Sequence, residues 1–437
     1  MNTLNRHILL LFAAPLLLFT QEKKDFGIIL SGFVKSDYFW DSRQNVSIRE
    51  GHFLLYPAPV LKDPLNNDIN AQQSLNFLSI QTRLTGKVSG PAVFDAKTSG
   101  VIEADFFGNE NGSFQDVNGF RLRHAFTKFN WTNTELLFGQ FWTPLFVHSS
   151  FPGVISFNTG APFQAFSRNP QIRLTQKIDD VSIIAALATQ RDFQSPGGTT
   201  QNLRNSAIPE VHLQLHWVHK NDSAKTEYAI GVGGEYMNLR PRLSSTVGVA
   251  PSTATYKVDE SFGSFTALGF GKLAVPAFTV KVYALFGQNT FDDVMLGGYA
   301  VDTINNALNG SVQYHPVNIL STWCEIVTSS GDFQYGIFAG YTKNLGLSKE
   351  LGFKKNSNIV SSLQNSTRGY DINSVYRIAP RIVFISGTLH LSGEIEYTVA
   401  DYATRKNGEI SINRKGQITQ TERVTNIRSL FAVTLYF

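Results

Sequence analysis

The chain reads as all-β, a transmembrane antiparallel up-and-down β-barrel of about 16 strands with short periplasmic turns and long extracellular loops, and three observations predict it. The first is the final stretch from Ile427 to Phe437. Ile427, Phe431, Val433, Leu435 and Phe437 fall on one face with Ser429, while Arg428, Leu430, Ala432, Thr434 and Tyr436 fall on the other. Side chains alternate along a strand, so one face meets a greasy medium and the other a more tolerant one. The second is composition. Charged residues make up 16% and aromatics 12%, with 34 Phe and 15 Tyr, whereas a soluble globule carries about a quarter charged residues. The third is rhythm: strand-like segments of about ten residues are joined alternately by short turns and long polar loops.

The chain opens with Arg6, an apolar run from Ile8 to Phe19 and a polar, charged cluster from Gln21 to Asp25. That run is too short for a membrane helix, which needs about 20 residues. A basic start, a short apolar core and a polar exit read as a secretory signal peptide over residues 1–20, leaving 21–437 as a single outer-membrane barrel. The only cysteine, Cys324, lies far downstream, so neither a lipid-anchored cysteine after the signal nor a disulfide within one chain is expected. A formal net charge of +4 is too mild to argue for a nucleic-acid partner.

The first strand spans 28–40, and a loop over 41–73 follows. In the second strand, Asn76, Leu78, Ile80, Thr82, Leu84 and Val88 share one face; Ser79, Gln81, Arg83, Thr85 and Lys87 share the other. A turn is expected at Ser89-Gly90-Pro91. In the third strand Phe94, Ala96, Ile102, Ala104 and Phe106 oppose Asp95, Lys97, Ser99, Glu103 and Asp105. Charges of both signs on one face would be costly in a dry core, and a water-filled interior removes that cost. Further strands are expected at 120–130, 135–142, 170–178, 181–190, 209–219, 226–236, 261–273, 278–288, 320–328, 333–343, 371–384, 388–399 and 426–437. An even number places both ends on one side. The strand over 371–384 is the weakest because Pro380 removes a ladder donor; without it the count becomes 14 or 18. Closure follows from the lipid: a closed sheet satisfies every backbone polar group with no open edge.

By the alternation, Arg83, Lys87, Lys97, Arg121 and Arg123 project into the lumen together with Asp95, Glu103 and Asp105. Rings of charged side chains set ion preference in pores, so these residues read as a selectivity lining, with Arg121 and Arg123 attracting anions. The competing reading is that they pair with one another along a wet wall. The loop over 143–169 carries Phe146, Phe151, Phe157, Phe163 and Phe166 and ends on Arg168 and Asn169. A loop so apolar has a contact to make. It either folds into the barrel as a constriction or packs between protomers. Tyr56-Pro57-Ala58-Pro59, in the loop over 41–73, marks a weaker candidate cover for the mouth.

His212, Gln214 and His216 alternate on one strand with Glu210. Residues four apart on a strand stand about 13 Å apart at about 3.4 Å per residue, so His212 and His216 cannot share an ion and no metal site is assigned. His390, Glu394 and Glu396 share a face in the manner of any water-filled barrel. Gly-x-Ser-x-Gly, Walker, Cys-x-x-Cys and His-Glu-x-x-His motifs are missing from the sequence, so neither an enzyme nor a cofactor is expected.

Several segments resemble one family. They are Gly32-Phe33-Val34-Lys35-Ser36-Asp37, Gln81-Thr82-Arg83-Leu84, Arg121-Leu122-Arg123-His124-Ala125-Phe126, Gly139-Gln140-Phe141-Trp142-Thr143-Pro144, Gly340-Tyr341-Thr342-Lys343-Asn344-Leu345-Gly346 and Glu394-Ile395-Glu396-Tyr397-Thr398. Together they look like the DcaP-like outer-membrane porins, in the form common among Bacteroidota. The resemblance implies a 16-stranded homotrimeric barrel in the bacterial outer membrane. Small hydrophilic, often anionic solutes would cross it by passive diffusion, through an arginine-lined constriction carried here by Arg83, Arg121 and Arg123. Phe431, Val433, Leu435 and Phe437 resemble the terminal aromatic signal of outer-membrane barrels, which implies the barrel-assembly machinery as a partner during biogenesis. Two alternatives stand beside a porin. One is a structural or assembly barrel plugged by the loop over 143–169, without significant conductance. The other is an outer-membrane hydrolase, which would need a nucleophile, a histidine and a carboxylate converging at one rim.

Overall fold

The computed structural model describes residues 26–108, 119–196, 200–406 and 408–437; the expected signal peptide over 1–20 lies outside them. Sixteen antiparallel strands close on themselves. They are β1 (Gly27–Asp41), β2 in two segments (Ser74–Leu78 and Arg83–Val93), β3 (Ala96–Asp105), β4 (Arg121–Asn130), β5 (Thr134–Trp142), β6 (Arg168–Ile178), β7 (Val181–Ala188) and β8 (Glu210–Asn221). The ring continues with β9 (Thr226–Leu239), β10 (Phe262–Ala274), β11 (Phe278–Gln288), β12 (Ser311–Thr328), β13 (Phe333–Leu347), β14 (Ile372–Ser386), β15 (Leu389–Ala403) and β16 (Thr421–Tyr436). Each strand pairs with its successor, and β16 pairs with β1 from Tyr436 against Phe33 to Arg428 against Asp41. Gly32 and Phe437 exchange backbone hydrogen bonds of 3.0 and 3.1 Å at the seam.

The alternation in the sequence governs the two faces. On β16, Phe431 and Leu435 lie exposed on the outer wall, whereas Arg428, Leu430, Ala432 and Thr434 are buried inside. Leu213 and Leu215 of β8 and Ile230 and Val232 of β9 continue the apolar outer belt. Such a band, with aromatics such as Tyr335, Tyr397 and Trp217 along it, suits the hydrocarbon of an outer membrane. No described helix is long and apolar enough to cross a membrane, which says nothing of strands.

Two expectations about β2 are corrected. The turn after it is not at Ser89-Gly90-Pro91, because the β2–β3 ladder runs on to Val93 opposite Ala96. Phe94 and Asp95 make the turn, with φ of 52° and 60°. Asp95 therefore belongs to a turn and not to the charged inner wall. Nor is β2 a single alternating run. Leu78 stands opposite Asp37 and Arg83 opposite Phe33, so five steps on β2 answer four on β1. The extra residue exchanges the faces: Leu75 and Phe77 point outward above the break, Leu84 below it, and Ile80 turns into the core. Asn76 and Leu78 consequently leave the outer face assigned to them.

Pro380 sits inside β14 opposite Ile337, and the β14–β15 ladder skips it between Ile378 and Arg381. The missing donor is absorbed by a local gap in the ladder, and the strand survives.

Candidate functional site

The loop over 143–167 runs inside the barrel and is fastened to the inner wall at successive points. The amides of Ile155 and Ser156 donate to Glu394 at 2.9 and 3.0 Å, Gly153 donates to Glu325 at 2.7 Å, and Asn158 Nδ2 donates to Glu396 at 2.7 Å. Trp323 Nε1 donates to Gln164 at 2.7 Å. Lys281 reaches the Phe151 carbonyl, and Lys35 the Ile155 carbonyl. Wall carboxylates and cations thus satisfy loop backbone that would otherwise be unpaired.

A second segment enters from the loop over 42–73, where Asn45–Ile48 pairs with Phe53–Pro57. Phe53, Leu54, Leu55 and Tyr56 are buried, so the stretch expected as a cover for the mouth packs into the interior instead. The two segments meet in an apolar core in the middle of the barrel. Phe53 packs on Phe166 with centroids 4.9 Å apart, Phe107 on Phe157 at 4.3 Å, and Phe146 stacks on Trp142 at 4.0 Å. Phe163 is fully buried over Gly340, where an added Cβ would come within 2.5 Å of its ring. Of the expected constriction residues, Phe146, Phe157 and Phe163 are buried, Phe151 is half-buried, and Arg168 is the buried first residue of β6.

Beside this core lies a charge ladder. Between Glu103 and Ala104 the β3–β4 register slips by one, so that Arg123 and His124, successive residues, are both buried inside. Arg121 grips Asp105 with two bonds of 3.0 and 2.8 Å, and Arg123 bridges Glu103 at 2.7 Å and Asp105 at 2.8 Å. Arg168 holds Asp192 at 2.5 Å, which Arg49 and Arg121 also approach at 3.4 and 3.6 Å. Arg83 lies 3.7 Å from Glu103. Five guanidinium groups therefore share three carboxylates. Aromatic faces carry part of the excess charge, with Arg168 5.0 Å from the Trp142 ring centre and Arg49 5.1 Å from that of Phe193.

On the short-turn side of the loop is a cavity of about 660 Å³. Lys35, Arg83, Lys87, Arg123, Lys281 and Arg381 line it, with Glu103 as the one carboxylate among the described lining residues. Lys97 is an exposed residue near the β2–β3 turn and does not reach this cavity.

Some of these residues carried no sequence signal: Arg49 and Asp192 lie in loops without periodicity. Arg377 and Arg381, four apart on β14, and Glu394 and Glu396 on β15 share inward faces that strand alternation alone marks out.

No family model matches the chain, and no curated protein matches it in sequence. Among solved structures, it is similar to the outer membrane channel DcaP of Acinetobacter baumannii. That match has a TM-score of 0.65 at 14% identity and covers 95% of this chain and 99% of that one. An anion-selective porin from Comamonas acidovorans matches with a TM-score of 0.54 at 9% identity, over 94% and 100% of the two chains. The trimer form of OmpT, an outer membrane protein of Vibrio cholerae, matches with a TM-score of 0.51 at 9% identity, over 95% and 100%. The chain therefore has the fold of bacterial outer-membrane porins, in agreement with the DcaP-like resemblance of its sequence, and its belted barrel is built for that membrane.

Proposed function

We propose that the protein is a passive outer-membrane channel for small hydrophilic solutes, with a preference for anions. The observation that carries this is the cavity lining, where Lys35, Arg83, Lys87, Arg123, Lys281 and Arg381 outnumber Glu103 together with Asp37, Asp105 and Glu325, the carboxylates paired behind them, and Lys87 is left without an ion pair among the described residues. In a narrow, low-dielectric passage such an imbalance concentrates counter-ions. Arg83, Arg123 and Lys87 would supply the field at the cavity, with Arg121 behind them on Asp105, tempered by Glu103 and Asp105, whereas Lys97 stands outside it. The loop carrying Phe146, Phe151, Phe157 and Phe163, with Arg168 at its end, would set the width. The solved neighbours support the proposal by fold, and one of them is itself described as anion-selective. A homotrimer is part of the proposal, on the model of the trimeric neighbour. So is assembly through the terminal aromatic strand of Phe431, Val433, Leu435 and Phe437 by the barrel-assembly machinery.

A second reading, a barrel plugged by its own loops, is favoured by the apolar core that the two inward segments build across the interior. Single-channel recording in planar bilayers separates the two. Native protein is expected to conduct, with a reversal potential on the anion side. Arg121→Ala plus Arg123→Ala leaves Glu103 and Asp105 without their closest partners and is expected to move the preference toward cations. Well-folded protein without conductance would replace the channel by the plugged barrel.

A further inference from the structure

His212 and Glu235 stand directly opposite each other on β8 and β9, both facing inward. Glu210 lies two residues before His212 on the same face, with its Oε2 3.8 Å from His212 Nε2. One donor atom from each of the three comes within 4.8 Å of the others. Ligands held 2.0–2.2 Å from one tetrahedral ion stand about 3.3–3.6 Å apart, so modest rotations of the two flexible glutamates would complete the set. The sequence argument against a shared ion concerned His212 and His216; the partner is the cross-strand Glu235, which strand pairing alone brings in.

The surroundings point to a ligand. His212 is 1% exposed, yet neither of its ring nitrogens has a hydrogen-bond partner, and Glu210 Oε1 and Asp292 Oδ1 are also buried without one. Asp292 and Asp293, from the loop after β11, are buried close to Glu210 and Glu235, so four acid groups crowd one water-poor site. Among the described residues, no Lys or Arg forms an ion pair with any of these four carboxylates. The nearby Arg368 donates to the carbonyls of Phe291 and Met295 instead. Holding so many acids out of water without a counter-charge disfavours their ionised forms. A cation at the centre would relieve this and use the unpartnered imidazole.

We propose that Glu210, His212 and Glu235 bind one divalent transition-metal ion of the Zn²⁺ or Mn²⁺ class. An imidazole with carboxylates suits those ions better than Ca²⁺ or Mg²⁺, which take oxygen ligands. The ion ties β8 to β9 beneath the loop after β11, whose Asp293 carbonyl accepts a hydrogen bond from Phe166. It therefore steadies the end of the segment that crosses the interior. This inference holds whether or not the barrel conducts.

The test is titration of chelator-treated, folded full-length protein in detergent with Zn²⁺ by calorimetry, with bound metal counted by elemental analysis. One Zn²⁺ per chain is expected, with Ca²⁺ binding at least about tenfold more weakly. Both His212→Gln and Glu235→Gln should weaken Zn²⁺ by about tenfold or more, whereas His219→Gln, at an exposed imidazole, should leave it unchanged. The native titration needs no variant to fold. Absence of saturable Zn²⁺ binding to folded native protein, tighter Ca²⁺ than Zn²⁺, or undiminished binding by folded His212→Gln would each overturn the site.

Discussion

Arg377, on the inner wall of β14, donates Nη1 to the carbonyl of Ala161 at 3.0 Å. The same guanidinium donates Nη2 to the carbonyls of Leu54 and Leu55 at 3.1 and 3.0 Å and Nε to Thr398 at 2.9 Å. One buried wall side chain thus fastens both inward segments at once. A guanidinium suits the task because its donors are fixed in a plane and aim at several acceptors together. Glu396, 3.4 Å away, compensates the charge.

Arg377→Met removes those bonds and leaves Glu396 with the neutral amide of Asn158 at 2.7 Å and, as its remaining cation among the described residues, Arg428, whose Nε is 4.0 Å away. Breaking one side of a buried pair costs about 3 kcal/mol or more. We expect a lower unfolding temperature on heat-modifiability gels and larger, noisier single-channel currents as the segments loosen. Unchanged conductance would show that they do not limit the passage.

Phe163 fills the slot opened by the missing side chain at Gly340. Phe163→Ala is expected to cost about 3–5 kcal/mol of docking energy, since a buried aromatic is lost and the wall cannot collapse onto the loop. Gly340→Leu forces the same undocking by overfilling. Protease nicking within 143–167 in folded protein should increase for both variants, and resistance equal to native would contradict the packing.

Lys87 lines the cavity and, among the described residues, makes no ion pair. Its replacement should leave stability within about 0.5 kcal/mol, as for a surface position. Lys87→Glu is expected to reduce anion preference in the reversal potential. The reduction should be larger at 0.01 M than at 1 M salt, where the screening length falls from about 30 Å to about 3 Å.

His52, on the inward hairpin, is boxed by the rings of Phe39, Phe107 and Phe157. Burial, reinforced by Lys35 and Arg428, pushes its pKa well below the usual histidine value. The unfolded chain takes up this proton near pH 6.5 while the folded chain resists it. Stability from this residue is therefore full above that pH and falls as pH drops below it, by up to about 1.4 kcal/mol per unit until the folded value is reached. Thermal unfolding at pH 7 and pH 5 should show the loss, and His52→Gln should flatten it.

Phe437 closes the barrel through its paired backbone bonds with Gly32. Deleting it is expected to reduce folded protein in the outer-membrane fraction several-fold, with the shortfall appearing as heat-unmodifiable chain. Full recovery of folded protein would remove the terminal aromatic from the assembly proposal.

How far the sequence reached differs between wall and interior. Strand alternation with period two located the strands, their inner and outer faces and the closing β16, because lipid on one side and water on the other demand opposite side chains at successive positions. It placed Arg121 and Arg123 inside beside Glu103 and Asp105 for the same reason. It failed at Leu78 and Asp95, where an inserted residue and a positive-φ turn change the register, since neither leaves a mark in hydrophobicity.

The sequence by itself determined the barrel, its rhythm of turns and loops and the charge of its inner wall, all of which are written in local periodicity. The tertiary structure alone decided which loops turn inward and which side chains they meet. Arg377 with Ala161, Arg168 with Asp192, and His212 with Glu235 are contacts between separate elements. Their energies depend on distance and burial after closure, so no local pattern within either partner's segment encodes them.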